Sequence, residues 1–422
     1  MKSIFLLILF FSTAFPQINF GDYFEGKTLR LDYFHTGDKE NEFYSINELI
    51  EEPYWGGSKV NLIDKFNFGQ YKFEVYDISS GKLIYSRGYS TIFNEWQTTE
   101  EAKQTSRSFI ETVVFPYPRN PAKVKFYASN RNNEWVEKYE YLVDPENYFI
   151  KKERVAEYPN FEVLNSGDPS KKVDIVFIPE GYTEDEMNLF KEDCQKFAEY
   201  LFNSSPFKEN EDKFNIWGIE APSLESGTDI PKDDVWKKTL LNSNFYTFET
   251  ERYLMTYDNK TLRNVASNAP YDQIYIIVNS DKYGGGAIFN HYSLCVNDNP
   301  NSEFVFVHEF GHGFASLADE YYTSDVAYQD YYPLDVEPTD PNLTTLVDFD
   351  SKWKDLVNES TPIPTPDTDG YEGKVGAFEG GGYMEKGIYR PTRDCTMKSI
   401  SIDNFCPVCK RAIQEMIDFY SE

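Results

Sequence analysis

Apolar and polar residues alternate along the first third of the chain. Between about residues 20 and 160, segments 71–76 and 83–85 alternate with period two and are separated by the turn residues 79–82. This pattern predicts a β-hairpin, because the side chains of a strand point alternately to its two faces. Further strands are predicted at 110–115, 123–128 and 136–143. Repeated short strands between turn signals indicate an all-β sandwich domain.

The pattern changes near residue 165, where a polar linker precedes a continuous apolar run. Residues 173–178 predict a buried strand, and Thr183 with Glu186 forms a capping-box signal before residues with helical spacing. A second apolar strand precedes three glycines at 284–286. Because no phosphate-binding pattern follows these glycines, they predict a loop or a bulged edge strand at the rim of a site. A strand that leads into a helix indicates that a mixed α/β (α+β) domain begins here.

The first residues of the chain have the pattern of an export signal. One lysine is followed by an apolar run at 4–11 and then by small residues, and this run is too short to span a bilayer as a stable helix. The sequence therefore predicts a signal peptide at 1–17, a sandwich domain at 18–163 and a second domain at 164–422. No later run approaches about 20 apolar residues, so the exported chain is expected to be soluble, without membrane insertion.

The charge balance restricts the classes of partner. The chain has 70 Asp and Glu residues against 41 Lys and Arg residues, a formal net charge of −29 at pH 7. Such an acidic surface repels nucleic acid and anionic membranes, so neither is an expected partner. The length of 422 residues suits two domains that each bury a core, so folding is not expected to require a metal.

One short motif carries most of the chemical information. An apolar helical stretch contains His308, Glu309 and His312 in the spacing HExxH, with Asn301 or Ser302 as the predicted N-cap. Histidines four residues apart lie on one face of a helix, so each can offer a ring nitrogen to one Zn²⁺ at about 2.0–2.1 Å. Glu309 then lies beside the metal, where it can take a proton from water as the general base.

A catalytic zinc takes three protein ligands and leaves one position for water. Asp319 and Glu320 are the candidates for the third ligand. In a continuous helix Asp319 would lie about 10 Å beyond His312 along the axis, too far to share its metal. The helix is therefore predicted to end near Ala315 or Ser316, and the chain to turn back. The short side chain of Asp319 suits such a return, and Glu320 is then expected to orient a histidine or to pair with Arg390 or Arg393.

A group of cysteines lies near the C-terminus. Cys395, Cys406 and Cys409 are three of the five cysteines of the chain. The Cys406–Cys409 pair lacks a second CxxC pair. A structural disulfide with Cys395 or plain packing is therefore expected, rather than redox or metal chemistry.

Three segments resemble those of one known family. They are HEFGHGFASLADEY, GAFEGGGYMEKGIYRPTRDCTMKS and NFCPVC. Over about residues 165–422 the chain resembles the bacterial immunoglobulin A peptidase family of metzincin-like zinc metallopeptidases, whose β-rich N-terminal domain fits residues 20–160. The resemblance implies a metzincin-like peptidase domain after the sandwich, with Met397 in the turn beneath the zinc. It also implies Asp319 as the third ligand, although Ala315 replaces the expected glycine and the acid falls one residue late.

The resulting hypothesis is a secreted zinc-dependent endopeptidase that acts on a protein or peptide substrate. Glu309 is expected to be the general base, and Tyr389 is favoured over Tyr383 as oxyanion donor because it lies nearer to Met397 in the sequence. The resemblance does not imply that immunoglobulin A is the substrate. Two alternatives remain open: a non-catalytic protein that binds a protein or glycan on a zinc peptidase scaffold, and a metal-dependent hydrolase of non-peptide substrates.

Overall fold

A computed structural model describes residues 18–153, 156–322, 332–400 and 404–422. The predicted signal peptide, residues 1–17, lies outside the described residues. Within the described ranges, no helix is both long enough and apolar enough to cross a membrane.

The N-terminal third of the chain forms two antiparallel sheets. Its elements are α1 (Phe20–Tyr23), β1 (Phe24–Gly37), β2 (Glu42–Glu52), β3 (Tyr71–Asp77), β4 (Leu83–Tyr89), α2 (Ile92–Gln97), β5 (Arg107–Pro118), β6 (Ala122–Ser129) and β7 (Trp135–Val143). One sheet has the strand order β2-β1-β5 and the other β4-β3-β6-β7. The alternation in β3 buries Phe73 and Val75 in a core shared with Leu31 of the opposite sheet. The predicted β-rich N-terminal region is therefore confirmed.

The rest of the chain is built around a six-stranded mixed sheet. Its elements are β8 (Asn160–Leu164), β9 (Val173–Glu180), α3 (Met187–Asn203), β10 (Phe214–Ile219), α4 (Asn259–Ala266), β11 (Gln273–Val278), β12 (Gly285–Ile288), β13 (Tyr292–Val296), α5 (Ser302–Ala315), β14 (Phe378–Gly381), β15 (Met384–Arg390) and α6 (Pro407–Ser421). The sheet order is β12-β13-β11-β9-β10-β8. The central pairings are parallel, and β12 and β8 are antiparallel edge strands. A sheet-plus-helix domain thus follows the β-rich region, as predicted.

The central strands separate two apolar layers. Ile175 and Phe177 of β9 face a core that includes residues of α3, α5 and α6. Val176 and Ile178, which alternate with them, face a second core that includes residues of α4. Trp96 of α2 lies in this second core, so the N-terminal region covers one face of the mixed sheet.

The glycine-rich segment and the predicted domain boundary both lie in edge strands of the mixed sheet. The glycine-rich segment lies at the start of the edge strand β12, as expected, but the pairing of β12 with β13 is regular and has no bulge. The domain boundary predicted between residues 163 and 164 falls inside β8, which pairs with β10. The strand that joins the two regions is therefore part of the mixed sheet.

Candidate metal centre

Helix α5 carries the HExxH motif and ends where the sequence predicts. It runs from Ser302 to Ala315, and Ser316 has a left-handed backbone conformation with a φ of 52°. The amide of Ser316 donates to the carbonyl oxygens of Gly311 and His312 in the last helical turn. Because the chain turns back at this point, the following residues lie beside the helix instead of continuing its axis.

Three side-chain atoms from the helix and the returning segment converge. The Nε2 atoms of His308 and His312 lie 3.1 Å apart. Asp319 Oδ1 lies 3.1 Å from His308 Nε2 and 3.3 Å from His312 Nε2. Ligand atoms about 2.0–2.1 Å from a tetrahedral zinc are about 3.3 Å apart. The structure therefore brings the three residues predicted as ligands to separations typical of a zinc site.

The second nitrogen of each imidazole fixes its tautomer. Nδ1 of His308 lies 3.0 Å from the carbonyl oxygen of Thr396, and Nδ1 of His312 donates to the carbonyl oxygen of Leu317. A carbonyl oxygen only accepts, so each neutral ring carries its proton on Nδ1 and a lone pair on Nε2. Asp319 Oδ1 is buried without a hydrogen bond from the described residues. Three lone pairs that face one another repel unless a cation lies between them, so these residues fit a metal ion.

The electrostatics of the cluster lead to the same conclusion. Burial lowers the pKa of His312, but Asp319 and Glu309 outweigh burial and raise this pKa to about 9. Burial also opposes the ionisation of Asp319, yet the two histidines hold its pKa well below the usual range. The carboxylates thus favour a positive charge at the histidine pair. A divalent cation supplies that charge while both imidazoles stay neutral.

Tyrosine hydroxyls hold the other oxygen of Asp319. Tyr321 Oη donates to Asp319 Oδ2 at 2.8 Å, and Tyr383 Oη donates to the same oxygen. Arg252 Nη2 in turn donates to Tyr321 Oη at 3.2 Å. These bonds orient the carboxylate so that Oδ1 faces the histidines, as outer partners of a metal ligand commonly do.

Glu309 lies beside the three converging residues and lines the same cleft. Burial raises the pKa of its carboxyl group, and the neighbouring histidines oppose this increase. A Cβ added to Gly285 of β12 would lie 3.3 Å from Glu309 Cγ and 2.7 Å from Val305 Cγ1. Glycine in this edge strand therefore leaves space for the Glu309 side chain. A carboxylate with a raised pKa is suited to accept a proton from water.

A methionine-containing turn supports the helix from below. Met397 is buried, and its Sδ lies 3.1 Å from the position of a Cβ added to Gly311. The preceding residue, Thr396, supplies the carbonyl oxygen that fixes His308. This arrangement agrees with the turn that the family resemblance implied.

The candidate metal centre lies in a cleft of about 220 Å³ that both regions of the chain line. Gln70, Asn94 and Glu95 come from the N-terminal region. Burial raises the pKa of Glu95 to about 7, although Tyr253 donates a hydrogen bond to its carboxylate. No sequence pattern singles out these residues, because they lie far along the chain from the HExxH motif and only the packing of the two regions against each other brings them near.

The structure does not bring Tyr389 into the cleft, in contrast to the choice made from the sequence. Tyr389 is not among the residues that line the cleft. Its ring packs against the core of the mixed-sheet domain, and its backbone pairs with Thr344. Tyr383, on the same hairpin, reaches Asp319 instead. Distance along the chain to Met397 was a poor guide because strand pairing decides where each side chain lies.

Glu320 also differs from expectation, and it lies beside the C-terminal cysteines. Among the described residues, the Glu320 carboxylate contacts no histidine and forms no ion pair; it accepts a hydrogen bond from Asn342 Nδ2 at 3.0 Å and faces Cys409. Cys395, Cys406 and Cys409 are buried free thiols, so of the two alternatives that the sequence left open, the described residues show packing and not a disulfide. The carboxylate and the thiols are buried next to one another.

Comparisons with known families agree with this geometry. The family model described as IgA Peptidase M64 matches residues 161–371 and 367–417, which is more than half of the chain. The model described as Peptidase M64 N-terminus matches residues 19–140. No curated protein matches the chain. The chain belongs to the IgA peptidase M64 family, and it is a peptidase.

Proposed function

We propose that this peptidase is an exported, zinc-dependent endopeptidase. Zinc dependence is supported chiefly by the convergence of His308 Nε2, His312 Nε2 and Asp319 Oδ1, three atoms that can each offer a lone pair to one cation. Two imidazoles and a carboxylate are a ligand set found in catalytic zinc sites, where a fourth position stays open for water. The residue pattern of the first 17 positions supports export.

In the proposed reaction Glu309 moves the proton. Zinc, when bound, supplies a Lewis acid that activates a water molecule and polarises the scissile carbonyl group. Glu309 takes a proton from this water and then delivers it to the leaving amine. The raised pKa of its carboxyl group suits both steps, because the same residue must accept a proton and release it.

Tyr383, and not Tyr389, is the proposed oxyanion donor. Its hydroxyl lies at the cleft and donates to Asp319 Oδ2. A hydroxyl in this position can turn to the carbonyl oxygen of a bound peptide, where negative charge develops during attack. Tyr321 would keep its own hydrogen bond to Asp319, so the metal ligand stays oriented when Tyr383 moves.

The substrate chain is proposed to lie in the cleft that both regions line. The glycine-rich strand β12 forms part of it, and the N-terminal region contributes the amide side chains of Gln70 and Asn94. Such amides both donate and accept hydrogen bonds, as recognition of a peptide backbone requires. The proposal covers proteins and peptides as a class and does not include immunoglobulin A in particular.

Cleavage-site profiling tests the proposed function. The purified chain is incubated with a peptide library of varied sequence, and the products are identified by mass spectrometry. We expect internal cleavage that a chelator abolishes and added zinc restores. Cleavage that persists after complete removal of metal would exclude zinc dependence. If the zinc-loaded chain cleaves no peptide, the non-catalytic binding alternative is favoured.

A further inference from the structure

A second group of metal-ligating side chains lies next to the candidate metal centre. Glu320, Cys395, Cys406 and Cys409 are all buried, and each offers one ligand atom within 4.8 Å of the others. Cys395 Sγ lies 3.8 Å from Cys409 Sγ. Cys409 Sγ lies 3.4 Å from Glu320 Oε1. The fold thus gathers three thiols and one carboxylate into a single enclosed cluster.

The separations in this cluster match a metal site and not a disulfide. A disulfide requires sulfur atoms about 2.05 Å apart. Around a tetrahedral zinc with Zn–S bonds of about 2.3 Å, two sulfur ligands lie about 3.8 Å apart, and a sulfur and an oxygen about 3.5 Å apart. The observed 3.8 Å between sulfur atoms and 3.4 Å between sulfur and oxygen agree with the tetrahedral values.

The surroundings of the donors favour their metal-binding form. Cys406 is the N-cap of the 15-residue helix α6, whose N-terminus stabilises negative charge. The amide of Cys409 donates to Cys406 Sγ at 3.4 Å, and the amide of Cys406 donates to Cys395 Sγ at 3.2 Å. Glu320 Oε2 is buried without a hydrogen-bond partner among the described residues, although such atoms normally have one. A cation within the cluster would satisfy this oxygen.

We propose that Glu320, Cys395, Cys406 and Cys409 bind a second metal ion, and that this ion is Zn²⁺. Thiolates select soft or borderline cations over Ca²⁺ and Mg²⁺, and tetrahedral sites rich in thiolate are typical of zinc. Four protein ligands leave no position for water, so the ion has a structural role. This second site shares no ligand with the first, and it stands whether or not the proposed catalytic zinc is correct.

The second site would hold parts of the first in place. Asp319 and Glu320 are consecutive residues, so one carboxylate faces each cluster. Cys395 precedes Thr396, whose carbonyl oxygen accepts the hydrogen bond from His308. The amide of Glu320 donates to the carbonyl oxygen of Met397, in the same turn, at 2.8 Å. A metal ion bound by Glu320 and Cys395 therefore also fixes two neighbours along the chain. These are Asp319, the proposed third ligand of the first site, and the carbonyl oxygen of Thr396, which accepts the hydrogen bond from His308.

Metal counting in matched variants tests the second site. The double variant His308→Ala/His312→Ala removes the histidine donors of the first site and is expected to keep about one zinc ion per chain, against about two in the unchanged chain. Cys406→Ser/Cys409→Ser is expected to lose the second ion. Cys194→Ala, at a buried free cysteine outside the cluster, is the control and should keep both ions.

X-ray absorption at the zinc edge supplies a readout with every cysteine intact. In the histidine double variant we expect sulfur neighbours at about 2.3 Å. If that variant does not fold, the unchanged chain decides, because its average zinc environment should contain both sulfur and nitrogen or oxygen. The proposal is overturned if the folded histidine variant retains no zinc, if the zinc spectrum of the chain lacks sulfur, or if mass analysis after alkylation shows a disulfide among the three cysteines.

Discussion

Two tyrosines of the same hairpin provide a test at the scale of single residues. Tyr383→Phe removes the proposed oxyanion donor. The same hydroxyl is one of the two that donate to Asp319 Oδ2. We expect kcat to fall by about 10²-fold, since charge that develops in the transition state loses its partner. Zinc content should stay unchanged because Tyr321 still holds the carboxylate. Both quantities are measured on one preparation.

The matched control for this prediction is Tyr389→Phe. Tyr389 lies outside the cleft, so kcat should stay within about twofold of the unchanged chain. Equal losses in the two variants would show that the hairpin acts through its packing and that neither hydroxyl takes part in the reaction.

Glu111 provides a test of pH dependence outside the candidate metal centre. Burial raises the pKa of its carboxyl group to about 8 from an ordinary value of 4.5, although the Phe93 amide and Arg263 oppose this shift. The folded chain therefore binds a proton that the unfolded chain releases. The stability contributed by Glu111 is fully present below about pH 4.5 and is lost as the pH rises through about 8.

Thermal unfolding at several pH values measures this effect. Glu111→Gln keeps an oxygen that can accept from Phe93 but carries no charge. We expect the fall in Tm between about pH 5 and 8 to be smaller in this variant than in the unchanged chain, by an amount equivalent to at most a few kcal/mol. Parallel curves for the two proteins would show that Glu111 does not stay protonated in the folded state.

The residues of the cleft differ in how far the sequence could predict them. His308, Glu309 and His312 were predictable because helical spacing alone places the histidines on one face. The structure places Tyr383 and not Tyr389 at the cleft, because the position of a hairpin side chain depends on strand pairing. Glu95 carried no local signal at all, since its place in the cleft depends on contact between the two regions of the chain.

At the scale of elements, the end of helix α5 decides whether Asp319 reaches the histidines. Ser316 has a φ of 52°, a left-handed conformation that glycine adopts freely and β-branched residues avoid. Ser316→Gly should leave zinc affinity unchanged. Ser316→Val should lower the zinc affinity by about tenfold or more. A β-branched residue at this φ adds strain of about 1–3 kcal/mol, which is relieved only if the turn that positions Asp319 moves. Competition titration with a chelator of known zinc affinity measures both, and equal affinities would contradict this role of the turn.

The same helix end was predictable from the sequence, whereas strand β1 was not. A helix rises about 1.5 Å per residue, so a shared ligand beyond His312 forces a stop near Ser316. In β1, Arg30 and Asp32 are buried as an ion pair at 2.7 Å, and Arg30 also donates to Asn264 of α4. Charged residues at buried positions mask the alternation that identifies a strand, and Asn264, one of the partners of Arg30, lies in the other region of the chain.

At the scale of the whole molecule, the N-terminal region completes the peptidase domain. Trp96 of α2 packs in a core of the mixed sheet, and Glu95 beside it lines the cleft. Composition and pattern predicted two regions of the correct classes but not this contact, because it joins distant parts of the chain. The same limit applies to the cysteine cluster: Glu320, which is buried beside the thiols, lies far from them in sequence and close to them in the fold.

The most direct test of the central claim is zinc content and turnover measured together on Glu309→Gln. Glu309 is proposed as the base and not as a ligand, so the amide leaves His308, His312 and Asp319 unchanged. We predict the same zinc content as the unchanged chain and a turnover lower by at least about 10²-fold. Full zinc with unchanged turnover would contradict the role of Glu309. Loss of zinc together with turnover would contradict the separation of the base from the three ligands.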